Sequence, residues 1–235
     1  MRLIISEQVF NDFEGLVIGV ILAKGIDNET DSLEVGALLL SIQNDLENRF
    51  VGLESPSQHQ NIIPWRQAYK KFGADPHDYR CSSEALARRV LKGNRIDHIN
   101  KLVDLYNYIS LKYIIPVGGE DLDKIKGDLV LDFAKGDELF IRLGGLENEP
   151  PTLGEVVYKD ETGVVCRRWN WREAERTKLT EETENAVIVI EGLPPISKNL
   201  IGEAIKELGE LVSKYCGGSI TTEILNKEKK EIVLI

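Results

Sequence analysis

Between residues 33 and 191 the hydrophobic period of the sequence changes at residues 116–119 (Pro-Val-Gly-Gly), and this change constrains the fold more than any other feature. Before it, apolar residues recur at the spacing that is typical of amphipathic helices, most clearly over residues 97–112. After it, short apolar runs alternate with glycine, proline and acidic turns, a pattern that predicts strands. The sequence therefore predicts an α+β (mixed α/β) fold in which helices pack on a mostly antiparallel sheet.

Turn and capping signals divide the chain into short elements without a long linker, so a single domain over residues 1–235 is predicted. The predicted helices cover residues 33–49, two segments between 63 and 93, 97–112 and 198–214. The predicted strands cover residues 2–5, 13–24, 128–134, 138–143, 154–159, 164–171, 185–191, 219–225 and 232–235.

The composition favours a soluble cytoplasmic protein. Of its 235 residues, 42% are hydrophobic, and no apolar run approaches the roughly 18 residues of a membrane span. The first residues lack the apolar stretch of a signal peptide. Cys81, Cys166 and Cys216 are far apart and show no CxxC spacing, so neither a disulfide framework nor a zinc site is expected. We expect no metal, no cofactor and no membrane partner.

The formal net charge of −10 argues against a general electrostatic attraction to nucleic acid. DNA is therefore not an expected partner, and any RNA would have to meet a local basic patch. Arg167, Arg168, Trp169 and Arg172 are the candidates for this patch, because cations beside aromatic rings suit the end of an RNA. Strand alternation predicts Arg168 and Arg172 on one face and Arg167 and Trp169 on the other. The other interpretation is a solubilising edge strand above a core that tryptophan fills.

General catalytic motifs are absent: the sequence has no GxGxxG, GxxxxGK[ST], GxSxG or HExxH. The pairs Gly118–Gly119 and Gly144–Gly145 are explained most simply as turns. Polar residues interrupt the predicted helix 97–112, where Asp104 and Asn107 share one face. If Asn107 is buried, its side chain needs a hydrogen-bond partner, which a neighbouring loop could supply.

Several separated segments resemble one known family. Residues 99–108 (INKLVDLYNY) are similar to an INNVVDxTNY segment, and Pro116 matches the proline that follows it. Residues 154–163 (GEVVYKDETG) resemble a DLVIADxxG strand and turn, and residues 180–187 (TEETENAV) resemble an EDTxNVLLE segment. These segments belong to the B3/B4 domain of bacterial phenylalanyl-tRNA synthetase β subunits, and the matches span residues 65–191. Residues 165–172 (VCRRWNWR) resemble stand-alone members of this family.

The resemblance implies a B3/B4-like fold, completed by the flanking segments, and an editing pocket. In the synthetase this domain is a second sieve that hydrolyses tyrosine wrongly attached to the phenylalanine tRNA. A positioned water attacks the ester, and polar groups orient the amino acid and the water.

The resemblance also implies site residues. Asn107 matches the family's pocket asparagine, and Glu175 matches the glutamate that recognises the tyrosine hydroxyl. The family's threonine and histidine correspond to Tyr106 and Gly118, so two polar groups are replaced. Gly144 and Gly145 are expected at the boundary of the pocket. The other interpretation of Glu175 and its neighbour Glu173 is a solvated, salt-paired surface.

Three functions remain open. The first is a trans-acting hydrolase that deacylates the 3′ end of a mischarged aminoacyl-tRNA of the phenylalanine or tyrosine type. The second is a non-catalytic module that binds RNA, an amino acid or an aminoacyl-adenosine end. The third is a structural domain that kept the fold and lost the site. An open pocket would favour the first two, and a cavity plugged by Tyr106 would favour the third. The expected pocket is bounded by Asn107, Gly118, the Gly144–Gly145 turn and Glu175, with a basic rim of Arg167, Arg168 and Arg172.

Overall fold

The structure is a computed structural model that describes all residues from 1 to 235. The helices are α1 (Glu7–Asp12), α2 (Leu33–Arg49), α3 (Ile63–Lys71), α4 (Ser82–Leu91), α5 (Lys101–Tyr113) and α6 (Lys198–Cys216). The strands are β1 (Arg2–Ile5), β2 (Val17–Lys24), β3 (Val117–Asp121), β4 (Leu129–Phe133), β5 (Val156–Lys159), β6 (Val164–Arg167), β7 (Arg172–Glu173), β8 (Asn185–Gly192), β9 (Ser219–Leu225) and β10 (Glu231–Val233).

The strands form two sheets. One has six strands in the order β10-β1-β4-β5-β6-β7, and the other has four in the order β3-β8-β2-β9. The pair β1–β4 is parallel and the other strand pairs are antiparallel. The prediction of an α+β fold with mostly antiparallel strands is therefore confirmed.

Two apolar cores hold the layers together. The larger core lies between the sheets and joins, for example, Leu131 of the six-stranded sheet to Val20 of the four-stranded sheet. The second lies on the other face of the four-stranded sheet, where Ile21 packs with residues of α5 and α6 such as Ile205. Side chains on both faces of β2 are therefore buried away from water, which explains the continuous hydrophobic run of this strand.

Close packing against α6 explains why the middle of β2 carries a glycine, Gly19. A Cβ atom at Gly19 would collide with the side chains of Ile201 and Ile205 on α6. A larger residue there would push the helix off the sheet, because the backbone of β2 and the helix approach directly.

Side-chain caps set the starts of four helices, and at α1 the Ser6 hydroxyl accepts a hydrogen bond from the N–H of Val9. The side chains of Ser32, Asn100 and Ser197 accept hydrogen bonds from backbone N–H groups in the first turns of α2, α5 and α6. The predicted helix 97–112 therefore begins later than its hydrophobic pattern indicates, at Lys101, and Ile99 lies outside it and is exposed.

Three sequence predictions about strands are wrong. Residues 138–143 form no strand, because their backbone makes irregular hydrogen bonds to three different segments, at residues 149, 164 and 173–175, and only Arg142 forms an isolated bridge, with Ala174. The predicted strand 164–171 ends at Arg167. Gly118 and Gly119 are not a turn but part of β3. None of the helices combines the length and the apolarity that a membrane crossing requires.

Candidate ligand-binding site

Two adjoining cavities lie where β3 and β8 meet the end of the six-stranded sheet. The inner cavity has a volume of about 30 Å³ and the outer cleft about 420 Å³. Four residues line both, namely Ser82, Val117, Asn170 and Glu173. The inner cavity therefore lies directly behind the cleft.

The approach of β7 to β3 shapes the boundary between the two cavities. A Cβ atom at Gly118 would lie 3.0 Å from Oε1 of Glu173. A Cβ atom at Gly119 would lie 3.2 Å from the carbonyl oxygen of Val187 on β8. Glycine at both positions thus makes room for a carboxyl group and for a neighbouring strand, which is a close-approach role within a strand.

Two buried carboxyl groups, those of Glu120 and Glu173, contact each other at the inner cavity. Burial raises the pKa of Glu120 well above its usual range, and the neighbouring Glu173 raises it further. Burial also raises the pKa of Glu173. The Oε2 atoms of both residues are buried and receive no hydrogen bond from a neighbouring donor. Burial and proximity therefore favour a proton on one of the two groups, because two adjacent buried carboxylates repel each other.

A third buried carboxyl group, Glu191, has a full set of donors. It accepts hydrogen bonds from the hydroxyl of Tyr158 (2.6 Å), Nε1 of Trp169 (2.7 Å) and Nδ2 of Asn170 (2.7 Å). Burial nevertheless raises the pKa of Glu191 to about 7. Oδ1 of Asn170 in turn accepts a hydrogen bond from the hydroxyl of Tyr69 on α3. This network fixes the orientation of Asn170, which lines both cavities.

A tight turn after β6 carries several of these groups. Arg168 and Trp169 adopt positive φ values of 45° and 66°, a conformation that side chains with a Cβ atom rarely accept. Trp169 is fully buried, and its hydrogen bond to Glu191 holds the turn. The predicted strand alternation at residues 167–172 is therefore wrong. Left-handed conformations without glycine are held by their surroundings and cluster at functional sites.

The arginine residues near this turn have different environments. Arg167 is buried and forms a bidentate pair with Glu155, at 2.9 and 2.8 Å. The Arg168 guanidinium lies between the rings of Tyr79 and Trp171, 3.7 and 4.5 Å from their centroids, and its Nη1 atom has no hydrogen-bond partner. Burial lowers the pKa of Arg168. Arg172 is exposed, forms no salt bridge and lines the cleft.

The outer cleft combines aromatic, basic and amide groups. The lining residues are Ser82, Ala85 and Leu86 of α4, Tyr106 and Asn107 of α5, Val117, Arg142, Leu143, Asn170, Trp171, Arg172 and Glu173. The side-chain amide of Asn107 lies in a residue that is only 6% exposed, yet it makes no hydrogen bond within the protein. Burial, and the nearby Glu173 and Glu120, raise the pKa of Tyr106. Tyr106 lines the cleft and leaves it open.

The structure brings only some of the sequence-predicted residues together. Tyr106, Asn107 and Arg172 line the cleft, Gly118 and Trp169 line the inner cavity, and neither Arg167 nor Arg168 lines either one. Because Trp169 is fully buried, its ring cannot stack on a base as the structure stands.

Glu175, Gly144 and Gly145 lie outside both cavities. Glu175 accepts a hydrogen bond from the N–H of Gly144 at 2.8 Å and pairs with Lys178, and the Gly144 contact lowers the pKa of Glu175. Gly144 lies in a turn with a φ of 74°, as the sequence predicts. Glu175 and Gly145 instead line a separate apolar groove of about 360 Å³.

Sequence reasoning missed the three glutamates of the inner cavity. The prediction of a solvated surface is wrong for Glu173, whose Oε2 atom is buried. One signal was available for Glu191, because it directly follows an apolar run within β8, Val187 to Ile190, where a carboxylate must be buried with its partners. Glu120 carries no such signal, since two glycines precede it and an aspartate follows.

Comparison with known proteins identifies relatives. The family model described as the B3/4 domain matches residues 64–217. The phenylalanine–tRNA ligase β subunit of Fusobacterium nucleatum subsp. nucleatum is 22% identical over 161 residues, which are 56% of this chain and 19% of that protein. The corresponding β subunit of Photorhabdus laumondii subsp. laumondii is 28% identical over 110 residues, which are 47% of this chain and 14% of that protein. The chain thus spans a fifth or less of these relatives, and the resemblance seen in its sequence is confirmed.

A solved structure also aligns with this chain, at a lower sequence identity than these relatives. A crystal structure of an N-terminal fragment of the phenylalanyl-tRNA synthetase β subunit from Pyrococcus horikoshii aligns with a TM-score of 0.47 and 14% sequence identity. The alignment covers 93% of this chain and 49% of the fragment.

Proposed function

The chain belongs to the B3/4 domain family, and from this premise we propose that its cleft binds the aminoacylated 3′ end of a tRNA and hydrolyses the ester that joins the amino acid to the tRNA. The relatives are named as ligases that charge tRNA with phenylalanine, so the proposed substrate is an aminoacyl-tRNA of the phenylalanine or tyrosine type. The protein would act in trans, on tRNA that a synthetase has charged with the wrong amino acid.

One observation carries this proposal: polar groups without protein partners surround an open cleft that leads to a buried cavity. The amide of Asn107 makes no hydrogen bond within the protein, and the Oγ atom of Ser82 is buried without a partner. Buried polar groups are normally satisfied, so Oγ of Ser82 is free to hold a ligand or an ordered water, and the Asn107 amide is available to a ligand in the cleft. A pocket that is mostly apolar, with a few convergent polar groups, is the usual form of a small-ligand site.

The proposed reaction needs a positioned water and little else from the protein. The oxygen of the water forms a bond to the acyl carbon, and the bond from that carbon to the ribose oxygen breaks. One proton of the water passes to the departing ribose oxygen. Asn107 would orient the ester or the water, which contributes to rate through positioning rather than through proton transfer.

The charge distribution near the cleft suits an RNA backbone despite the net charge of −10. The segment 62–96, which contains α3 and α4, has eight lysine and arginine residues and three aspartate and glutamate residues. Ser82, Ala85 and Leu86 of α4 line the cleft, and Arg89 follows one turn later on the same helix. Lys92 and Arg95 beyond it are exposed and form no salt bridge. Phosphate contacts of this kind position an RNA without reading its sequence.

The test is a deacylation assay with the phenylalanine tRNA charged with tyrosine or with phenylalanine. Wild-type protein should hydrolyse the tyrosyl ester faster than the phenylalanyl ester. Asn107→Ala should lower the rate by about tenfold, because an orienting group is worth on the order of 1–3 kcal/mol. Asn199→Ala, on the exposed start of α6, is the matched control and should behave as wild type. A folded wild-type protein that hydrolyses neither ester contradicts the proposed hydrolysis.

Binding without hydrolysis is a second candidate, which a specific observation favours. The cleft is lined by one carboxyl group, Glu173, and by no histidine or lysine, so proton-transfer groups are few. Tyr106 and Gly118 also stand where the family motif has a threonine and a histidine. Retained affinity for the aminoacyl-tRNA together with no turnover would select this candidate over hydrolysis.

A further inference from the structure

We infer that the inner cavity is a binding site for a primary ammonium group, held by Glu120, Glu173 and Ser82. The evidence that the cavity binds an ammonium group comes from the cavity itself and does not depend on the proposed function. Its assignment to the amino group of an aminoacyl ligand rests on the proposed function, because every aminoacyl ester carries such a group.

The first argument is that the cavity is lined by hydrogen-bond acceptors that have no donor partner within the protein. Glu120 is 6% exposed, and its Oε2 atom receives no hydrogen bond from a neighbouring donor. Oε2 of Glu173 and Oγ of Ser82 are also buried and unpartnered. The neutral side chains of Thr177 and Cys166 lie near Glu120 and Glu173, respectively, and no cationic side chain lines the cavity. An ammonium group has three donors and no acceptor, which matches two carboxyl oxygens and a hydroxyl oxygen.

The second argument is charge. No lysine or arginine lines the inner cavity. Arg176 is the cation that acts on Glu120, and it forms a salt bridge with the buried Asp160. The other titratable groups facing the two carboxyls are acids or neutral groups, namely Tyr106, Tyr158, Cys166 and Glu191. An arriving cation would therefore replace the proton on one carboxyl group and offset the second carboxylate, which a neutral hydroxyl cannot do.

The third argument is size and access. A cavity of about 30 Å³ admits a group the size of an ammonium head but not an aromatic ring. Ser82 and Glu173 line both the cavity and the cleft, so a ligand in the cleft can extend its head group inward. No group of three or more His, Cys, Asp and Glu side chains is arranged to hold a metal ion. The cation that the inference assigns to this site is the ammonium head of a ligand that extends inward from the cleft.

Isothermal titration calorimetry with ethylamine and ethanol at about pH 7 tests this inference. Ethylamine should bind at least about tenfold more tightly than ethanol, and binding should release up to one proton, because the ammonium replaces the proton on one of the carboxyls. Two buffers with different ionisation enthalpies measure this release. Glu120→Gln and Glu173→Gln should each weaken ethylamine binding by about tenfold, and Ser82→Ala by less. Glu182→Gln, at an exposed glutamate, is the control and should bind as wild type.

Two further probes distinguish the source of the ammonium. Tighter binding of alaninamide assigns the site to an α-ammonium group, and tighter binding of N-acetyl-lysinamide assigns it to a side chain. Equal binding of ethylamine and ethanol overturns the inference, as does a lack of amine binding or wild-type affinity in both glutamine variants. Ester hydrolysis without amine binding would contradict the ammonium site and support the proposed function. Amine binding without any affinity for aminoacyl-tRNA would support the ammonium site and contradict the proposed function.

Discussion

The Oε1 atom of Glu173 lies 3.0 Å from the position that a Cβ atom at residue 118 would occupy. This distance is shorter than ordinary van der Waals contact, so a side chain at position 118 would require the carboxyl group to shift by a few tenths of an ångström. Because residue 118 is a glycine, there is space at this position that Glu173 uses. The glycine at position 118 and the buried position of the Glu173 carboxyl group therefore depend on each other.

We expect Gly118→Ala to displace Glu173 and to lower aminoacyl-tRNA binding or hydrolysis by about tenfold, because a shift of less than 1 Å at a positioned group has effects of this size. The free energy of unfolding should change by about 1–2 kcal/mol, measured by urea denaturation. Gly202→Ala on α6 is the control, since its Cβ atom would meet only Ile224 at 3.8 Å. It should leave activity unchanged. A fully active, normally folded Gly118→Ala protein would show that the carboxyl position is unimportant.

A comparison of Glu173→Gln with Glu175→Ala separates two assignments of the pocket glutamate. The motif match predicts that Glu175→Ala weakens binding, whereas the geometry predicts that Glu173→Gln does, because only Glu173 lines the cavities. We expect a loss of about tenfold or more for Glu173→Gln and a change within about twofold for Glu175→Ala. Equilibrium binding and deacylation rates measure both. The opposite ranking would return the role to Glu175.

Charge reversal on and after α4 should weaken RNA binding. We expect Arg89→Glu, Lys92→Glu and Arg95→Glu each to reduce the slope of log affinity against log salt by roughly 0.7, because one counterion release is lost per phosphate contact on a single strand. Titration of tRNA at several salt concentrations measures this slope. Lys206→Glu, whose side chain on α6 is 77% exposed, is the control. If all four variants change the slope equally, the change reflects the net charge of the protein, and α4 does not contact the RNA.

Glu191 should make the protein less stable as the pH rises. Burial raises the pKa of this carboxyl group to about 7 from an ordinary 4.5. Its contribution to stability is therefore complete below about pH 4.5 and is lost as the pH rises through about 7, with a total of about 3 kcal/mol at roughly 1.4 kcal/mol per pKa unit. The free energy of unfolding of wild type, measured from pH 5 to 8, should fall relative to that of Glu191→Gln, which has no charge to bury. Parallel curves would contradict this assignment.

His98 should contribute stability with the same direction of pH dependence. Its Nδ1 atom lies 2.6 Å from Oδ2 of the buried Asp104 and its Nε2 atom 2.8 Å from Oδ1 of Asp31, and the hydrogen bond to Asp104 raises the pKa of His98. The protonated form is favoured in the folded protein, so the contribution is complete below about pH 6.5 and is lost above it, as the pH passes the raised pKa. Unfolding measurements should show that His98→Gln costs more stability at pH 5.5 than at pH 9. A difference that does not vary with pH would mean that the pair is not charged.

The sequence alone determined the fold class, most element positions and the family. Those properties depend on local signals: helical spacing over residues 101–113, caps such as Asn100 and Ser197, and the apolar run of β2. Buried strands and capped helices are specified within a few residues of chain, so their patterns can be read directly.

Only the tertiary structure decided which glutamate faces the site and where the predicted RNA patch lies. Strand alternation failed at Arg168 and Trp169, because positive φ values turn the chain there, and the Trp169–Glu191 hydrogen bond that holds the turn joins residues 22 positions apart. Glu120 and Glu173 come together from strands of different sheets, and each alone reads as an ordinary charged residue. Contacts across such distances follow from how the layers pack, and no local pattern encodes them.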